Sequence, residues 1–413
     1  MVKVEAGVTA KPRILEFGNL PCWQGGKCND GLNNAIYNIS RALADLEPGN
    51  VALAASDFFK ISDSRNGLEI MGWDKKKLLL FVISHPLLFL FLLIKSIKGF
   101  VSYFKAEGFM KILFRNAFLR FAMETFKPDI VHLHGIRAVY YLPVVPKGIR
   151  VIVTLHGLVG QNKDIPEHTI FAKMEQSLCK NKGISYLVFV TKKIREEFFQ
   201  IYGKPVSSTE VITNSFDSKV FKLINEEPVN PKPTLVTIAS MSELKGQRRV
   251  LEGIKKSGKD VKYICVGNDR DNLVPTLTAY AEKNSIDFEY KGPMTPDQIS
   301  RLLNETDFMI LPSSSEGFGL VFLESLACGC PVILPSHLPI VEEGDLINGD
   351  NSILMHDESS DSICETLETL TTRVFNRKKI AEGVKIFSWE MVAKEYYRIF
   401  ERSLAEKPTN SRR

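Results

Sequence analysis

Two glutamates eight residues apart, Glu316 and Glu324, lie in the segment PSSSEGFGLVFLESLACGCPVI, residues 312–333. An apolar strand, FMILP, runs into a loop holding Glu316-Gly317-Phe318-Gly319 and then into a helix. Glycines let backbone amides come close to a ligand, and amides at a helix N-terminus bind phosphate. With the helix beginning near Gly319, Glu324 lies one to two turns in while Glu316 stays on the loop. The two carboxylates then meet different parts of one ligand. An ionised carboxylate accepts hydrogen bonds well from a vicinal diol such as a ribose or a hexose. Glutamates at this spacing occur by chance in many chains, and the strand–loop–helix context with its glycines is what makes the signal specific.

The elements that must carry this loop alternate between short apolar strands and helical stretches. Strands are expected at Arg13–Phe17, Val51–Ala55, Asp129–His134, Arg150–His156, Tyr186–Thr191 and Glu210–Thr213. A second set is expected at Thr234–Ala239, Val261–Val266, Phe308–Pro312, Pro331–Leu334 and Ser352–Met355. Helical periodicity sits between them, as in GLNNAIYNISRALADL and PDQISRLLNETD. Strands that are apolar throughout and alternate with helices imply parallel sheets covered on both faces. The segment LINEEPVNPKPT (223–234), with three prolines and no periodicity, reads as a linker that halves the chain. The expected fold is therefore α/β, with two Rossmann-like domains, residues 1–224 and 225–388, facing a central cleft. Ligands of such sheets bind at the carboxyl ends of the strands.

Bulk properties agree. A chain of 413 residues is long for one core, and 44% hydrophobic with 24% charged residues excludes both disorder and a multi-span membrane protein. Seven scattered cysteines, mostly in apolar runs, read as buried reduced thiols, and the Cys328–Cys330 spacing without a second Cys/His pair gives no metal site. The N-terminus lacks the apolar core of a signal peptide, so a cytoplasmic protein is expected. The charge is uneven, with eleven Lys/Arg against four Asp/Glu between Lys60 and Arg120. Inside that stretch lies LLLFVISHPLLFLFLLI (78–94), flanked by lysines and broken at its centre by Ser84-His85-Pro86. A single span would separate the two parts of one parallel sheet. The reading preferred here is a helical insertion, about 75–120, lying in the interface of an anionic membrane and followed by a basic amphipathic stretch; the alternative is a helical hairpin buried against the sheet. Nucleic acid is the other partner a basic patch suggests, and the apolar run argues for membrane instead.

EGFGLVFLE resembles the E-x7-E signature of retaining GT-B glycosyltransferases, the family-4 group in particular. ELKGQRRV with LEGIKK resembles the donor-phosphate segment of that family. VIVTLHG, LVFVTKKIREEF and EVITNSFDSKVF follow its N-terminal domain. FSWEMVAKEYYRIFE resembles its closing helix, which crosses back to the first domain, so 389–413 is expected to pack there. The likeness is absent over about 57–115. It implies that Glu316 contacts the transferred sugar and Glu324 the ribose. Phe318, Gly319, Leu320 and Val321 offer amides to the sugar and diphosphate. Lys245 neutralises the diphosphate, and His156, at the end of its strand, reaches the donor sugar. Gly31 opens the first helix, with Gly25-Gly26 as the competing register. His132 and His134 are read as structural.

The chain departs from the family at two places. Ala239-Ser240 stands where Gly-Arg is common, leaving Arg248 or Arg249 as substitutes for the arginine, and Asn214-Ser215 stands where Asn-Gly is common. Asp269-Arg270-Asp271 has the D-x-D form of metal-dependent enzymes but not their context, and no metal or other cofactor is expected. The resemblance implies a retaining glycosyltransferase that moves a sugar from a nucleoside-diphosphate sugar to a hydroxyl acceptor. The basic apolar insertion suggests a lipid-linked acceptor, in surface polysaccharide or glycolipid synthesis, with the protein peripheral on the inner face of the cell membrane; a plain saccharide is the other acceptor. Two rival readings are a sugar-nucleotide epimerase of the same architecture and a catalytically silent membrane-docking partner.

Overall fold

The computed structural model describes residues 11–26, 31–58, 63–65, 67–160, 166–224, 230–269, 271–344, 346–370 and 373–406. The chain divides into two compact units. The first contains an eight-stranded sheet: β1 Ile14–Gly18, β2 Val51–Ala55, β3 Asp63–Arg65, β4 Leu68–Met71, β5 Ile130–His134, β6 Arg150–Leu155, β7 Tyr186–Phe189 and β8 Ser208–Val211. Their spatial order is β3-β4-β2-β1-β5-β6-β7-β8, parallel throughout except for the antiparallel edge pair β3–β4. The second unit contains a six-stranded parallel sheet: β9 Thr234–Ile238, β10 Lys262–Val266, β11 Asp287–Tyr290, β12 Phe308–Ile310, β13 Val332–Pro335 and β14 Ser352–Met355, in the order β11-β10-β9-β12-β13-β14.

Central strands such as VALAA (β2) and VILP (β13) are buried at every position, as helices on both faces require. In each sheet the chain winds first to one side and then to the other. The reversal falls between β1 and β5 in the first sheet and between β9 and β12 in the second. These two switch points are where an open parallel sheet holds its ligand.

The expected strands are all found, with ends displaced by a residue or two, and the fold class stands. β3, β4 and β11 were missed. The dividing line also moves: residues from Thr213 on belong to the second unit, which carries Phe216 paired to Ser388, so the change of unit precedes the proline-rich segment. Residues 225–229 of that segment lie outside the described residues. The closing helix Trp389–Ala405 joins the first unit from Val392 onward, burying Tyr396 and Phe400.

The insertion forms three helices: α2 Lys75–Ser84, α3 Pro86–Ser102 and α4 Phe109–Phe126. Asp74 caps α2 by accepting from the amides of Lys76 and Lys77. Pro86 cannot continue the helix, and it opens α3 from its first position instead, so the two axes bend by 104°. Leu92 and Ser96 of α3 are buried, with Ser96 accepting from Asn116 of α4 at 3.0 Å. Most of the remaining apolar surface of α2 and α3 is open: Leu79, Leu80, Ile83, Leu87, Leu90 and Ile94 are exposed, Leu87 by 82%. The alternative of a hairpin buried against the sheet is thereby excluded. Among the described residues no single helix is long and apolar enough to cross a membrane.

Candidate active site

At the switch point of the second sheet, the loop after β9 and the loop after β12 meet. The first turns through a short 3-10 helix, Glu243–Lys245, and leaves it at Gly246 with φ +77°. A Cβ at Gly246 would stand 2.6 Å from the carbonyl oxygen of Pro312, so only glycine lets the loops approach this closely. Ser314 closes the contact by donating its amide to the Leu244 carbonyl at 3.0 Å. The outcome is an ion pair between the two loops. Lys245 Nζ donates to Glu316 Oε1 at 2.6 Å, and both side chains are mostly shielded from water.

The helix that follows runs from Leu320 to Ala327 and has no side-chain cap. Its cap residue, Gly319, has φ +82°, and a Cβ there would lie 2.6 Å from the ring of Phe322. The first-turn amides of Leu320 and Val321 have no partner inside the helix, as at any helix start, and carry the positive end of its dipole. Phe318 and Leu320 are buried and anchor the turn, while Val321 is half-buried. Glu324 lies on the second turn, half-buried, its carboxyl without a hydrogen bond among the described residues. Burial, and then the negative charge of Asp217, pushes it up to about 7.

Neither candidate replaces the missing arginine at Ser240. Arg249 is committed to the backbone, donating to the carbonyls of Glu243 at 2.9 Å and Pro312 at 2.7 Å, and Arg248 pairs with Glu252 on its own helix. The buried Gln247 bridges the loop instead, donating to the Ser240 carbonyl at 3.0 Å and accepting from the Ser242 amide. Asp269 of the D-x-D sequence caps the helix Val274–Lys283, accepting from the amides of Leu273 and Val274; Arg270 lies outside the described residues. Cys328 and Cys330 are buried free thiols, pushed by burial up to about 12 and about 11, whereas Cys22 is exposed and Cys364 half-exposed, against the expectation for these two.

His156 and Gly31 belong to the first unit. Gly31 opens the helix Gly31–Leu46 as read, but open space surrounds its missing Cβ, and the position demands no glycine. Gly26 does: a Cβ there would overlap the Leu20 carbonyl oxygen at 1.8 Å. His156 follows β6, and the loop after it is held by the buried Glu175, which accepts from the amides of Val159 at 2.8 Å and Gly160 at 3.2 Å. His156 does not stand alone. Its Nε2 lies 3.1 Å from His134 Nδ1, His134 Nε2 lies 2.8 Å from Glu16 Oε2, and Glu16 Oε1 lies 2.9 Å from His132 Nδ1. Glu16 was missed by sequence reasoning. The signal was one acidic residue in an otherwise apolar central strand, ILEFG.

Each unit thus has a polar cluster at its switch point: a lysine–carboxylate pair beside a glycine-capped helix start in the second sheet, and a buried glutamate–histidine cluster in the first. Residues 221–385 match the family model described as glycosyl transferases group 1, and residues 82–220 match that of glycosyltransferase family 4. The chain belongs to the family-4 glycosyltransferases and has the GT-B fold. An uncharacterized glycosyltransferase of Methanocaldococcus jannaschii is 23% identical over 52% of this chain and 59% of its own length. A second from that organism is matched over 44% of its length, so the chain spans about half the length of these curated relatives. Among solved structures, the sucrose-phosphate synthase of Thermosynechococcus elongatus superposes with a TM-score of 0.74 at 12% identity, over 95% of this chain and 99% of that one. Anabaena HepE in complex with UDP and glucose gives 0.66 at 15% identity, over 94% and 100%.

Proposed function

We propose that this protein transfers a sugar from a nucleoside-diphosphate sugar to an acceptor hydroxyl with retention of anomeric configuration. The observation that carries the reading is the Lys245–Glu316 pair beside the Gly319 helix start. It sets a cation, a carboxylate and unpaired amides within one ligand's reach at the switch point of the second sheet. Lys245 would exchange its carboxylate partner for the diphosphate, which frees Glu316 to accept from sugar hydroxyls. Glu324 would take the ribose hydroxyls, and the first-turn amides the phosphate. The departing diphosphate is then offset by one lysine and a helix dipole, and the reaction asks for no metal. The UDP and glucose of the HepE structure are of the ligand class this site suits.

Thermal stabilisation across a panel of nucleotide-sugars tests the donor, because a ligand that binds only the folded state raises the melting temperature by mass action. Stabilisation by one nucleoside diphosphate family, lost in Lys245→Ala, is the expected outcome. No stabilisation at millimolar concentrations would refute the reading and favour a silent docking protein. Epimerised nucleotide-sugar formed without acceptor would favour an epimerase.

The acceptor side of the proposal is a lipid-linked substrate met at the inner face of the cell membrane. The exposed leucines and isoleucines of α2 and α3 support it, as do the exposed Lys75, Lys76, Lys77 and Lys98 around them. Each such apolar side chain buried contributes about 1.5–3 kcal/mol, and each lysine near an anionic surface about 1 kcal/mol. The 104° bend suits a pair lying in the interface and not one crossing it. Flotation with anionic against zwitterionic vesicles measures this. Binding that prefers anionic vesicles and falls at least about tenfold in Leu87→Asp is expected, about 1.4 kcal/mol or more. No preference, with lipid-acceptor activity intact in L87D, would refute it.

A further inference from the structure

The first sheet buries an ionisable group inside an otherwise apolar strand, ILEFG. Glu16 is fully buried on β1, directly opposite His132 of β5 in the parallel register. His134, two residues along β5, lies on the same face and opposite Thr154 of β6. Both carboxylate oxygens are used, one by each histidine. On one side the chain continues from His132 Nε2 to Thr154 Oγ1 at 2.8 Å and on to Tyr396 Oη at 3.0 Å. On the other it runs from His134 Nδ1 to His156 Nε2 and stops, for the buried Nδ1 of His156 has no partner among the described residues.

Proton positions follow from the order of contacts along this chain, read outward from the two oxygens of Glu16, each of which faces an imidazole nitrogen. Burial works to raise the Glu16 carboxyl, but His132 and then His134 outweigh it and hold it at about 2, so it is ionised and can only accept. His132 therefore donates from Nδ1 and His134 from Nε2. Burial first, then the neighbouring His132, lowers His134 to about 4. His134 is neutral at pH 7, and having its proton on Nε2 it offers a lone pair at Nδ1. His156, which burial and its two histidine neighbours push well below the ordinary range, fills that lone pair with its Nε2 proton. Its second nitrogen is left bare. The opposite tautomer would set two lone pairs against each other at 3.1 Å.

We infer that Glu16 is a positioning residue that sets the hydrogen-bond polarity of this imidazole chain and presents His156 Nδ1 as an acceptor for a substrate hydroxyl. Only the identity of the hydroxyl rests on the transfer reading. A buried acceptor without a partner is destabilising, and a hydroxyl donor at the carboxyl edge of this sheet, beside its switch point, would satisfy it. A sugar alcohol fits. A phosphate oxygen does not, because it has no proton to give and meets a lone pair.

The test reads the tautomer directly, without substrate. In protein labelled with 15N in the imidazole rings, NMR at pH 7 should show His156 protonated at Nε2 and bare at Nδ1, with His134 protonated at Nε2. A proton on His156 Nδ1, or a cationic His156, would overturn the inference. So would a stoichiometric metal found by elemental analysis at Glu16, His132 and His134, which lie close enough together to hold one. Glu16→Gln puts one donor where the carboxylate had two acceptors, so one histidine must turn its lone pair inward. Turned at His134, the change passes to His156 and makes it a donor. Folded E16Q should therefore show a mixed His156 tautomer and a transfer kcat reduced at least tenfold, with the donor KM changed less than twofold. An unchanged spectrum and kcat in folded E16Q would refute the assignment. Should E16Q fail to fold, Thr154→Val supplies the comparison: it cuts only the other branch, and a His156 tautomer altered by it would refute the directional chain. If no nucleotide-sugar bound at all, the spectra would still decide the inference.

Discussion

Glu324 gives the most exacting prediction. Its carboxyl, raised to about 7, is largely protonated in slightly acid solution. Ribose hydroxyls donate, and they bind the ionised form. Nucleotide binding should therefore release a proton near neutral pH, and affinity should be lost as pH falls through about 7. One unit below that value roughly nine in ten carboxyls are protonated, so the dissociation constant at pH 6 should be about tenfold higher than at pH 8, about 1.4 kcal/mol. A terminal phosphate itself titrates near pH 6, so the comparison must be made against Glu324→Gln, in which this contribution disappears. Calorimetry of the stabilising nucleoside diphosphate at pH 6, 7 and 8, in buffers of different ionisation enthalpy, measures both affinity and protons released. The stability of the free protein carries the same sign. A carboxyl raised on folding costs nothing below the unfolded value of 4.5 and progressively destabilises as pH rises through about 7. E324Q should therefore be more stable than wild type at pH 8, by at most about 3 kcal/mol and by less where partial exposure screens the charge, and no more stable at pH 4. Identical pH profiles of binding in wild type and E324Q would refute the ribose role.

Four further outcomes are expected. Lys245→Ala should lower kcat/KM for the donor by about 100-fold, about 2.7 kcal/mol, while denaturant unfolding shifts by less than about 1 kcal/mol, because the ion pair is partly open to water. Gly319→Ala, at φ +82° and with the Phe322 ring 2.6 Å from the new Cβ, should cost about 1–3 kcal/mol of stability and most of the nucleotide affinity, checked by urea unfolding and calorimetry. Ser240→Arg should tighten nucleotide diphosphate binding by about 1.5–3 kcal/mol, the range of a charge-assisted hydrogen bond, since Arg249 is held by two carbonyls; an unchanged dissociation constant would show that the site needs no second cation. The first unit should lose stability in mild acid. His134 titrates at about 4 when folded and 6.5 when not, so the unfolded chain takes up the proton first and stability drains between those values, read by hydrogen exchange at β1 and β5.

What was legible in the sequence was local. In a doubly wound sheet each ligand loop is a contiguous stretch after a strand, so Glu316, Gly319 and Glu324 declare themselves within one segment of strand, loop and helix. Lys245 did so through Gly246, whose positive φ and contact with Pro312 explain the glycine. β3, β4 and β11 escaped because they are short, and the residues of β3 and β11 are largely polar or charged. Their place at or beside a sheet edge is set by pairing partners and not by an apolar run. The proline-rich segment was legible as irregular chain but misleading as a boundary. Residues 213–224 before it pack with the second unit, where Ser300 and Asn304 donate to the carbonyls of Val220 and Lys222.

Glu16 shows where reading along the chain fails. It is 116 residues from His132 and 118 from His134, and only the strand order β1-β5-β6 brings the three together with Thr154 and His156. Along the sequence nothing joined them: the acid in its strand drew no reading, the two alternate histidines in VHLHG were read as structural, and only His156, at a strand end, was placed at the donor sugar. Fully buried charge is costly unless paired, and here the pairing uses every polar atom of the cluster except one. That exception is what separates a site from a packing solution. A cluster serving stability alone would be expected to satisfy His156 Nδ1 with a hydroxyl from a neighbouring strand, as Thr154 does for His132 Nε2. The two switch points thus differ in kind. On the readings proposed above, the second sheet would hold a ligand with a cation, a carboxylate and free amides that can trade partners, whereas the first would offer a hydroxyl a single acceptor whose direction is fixed from a carboxylate two histidines away.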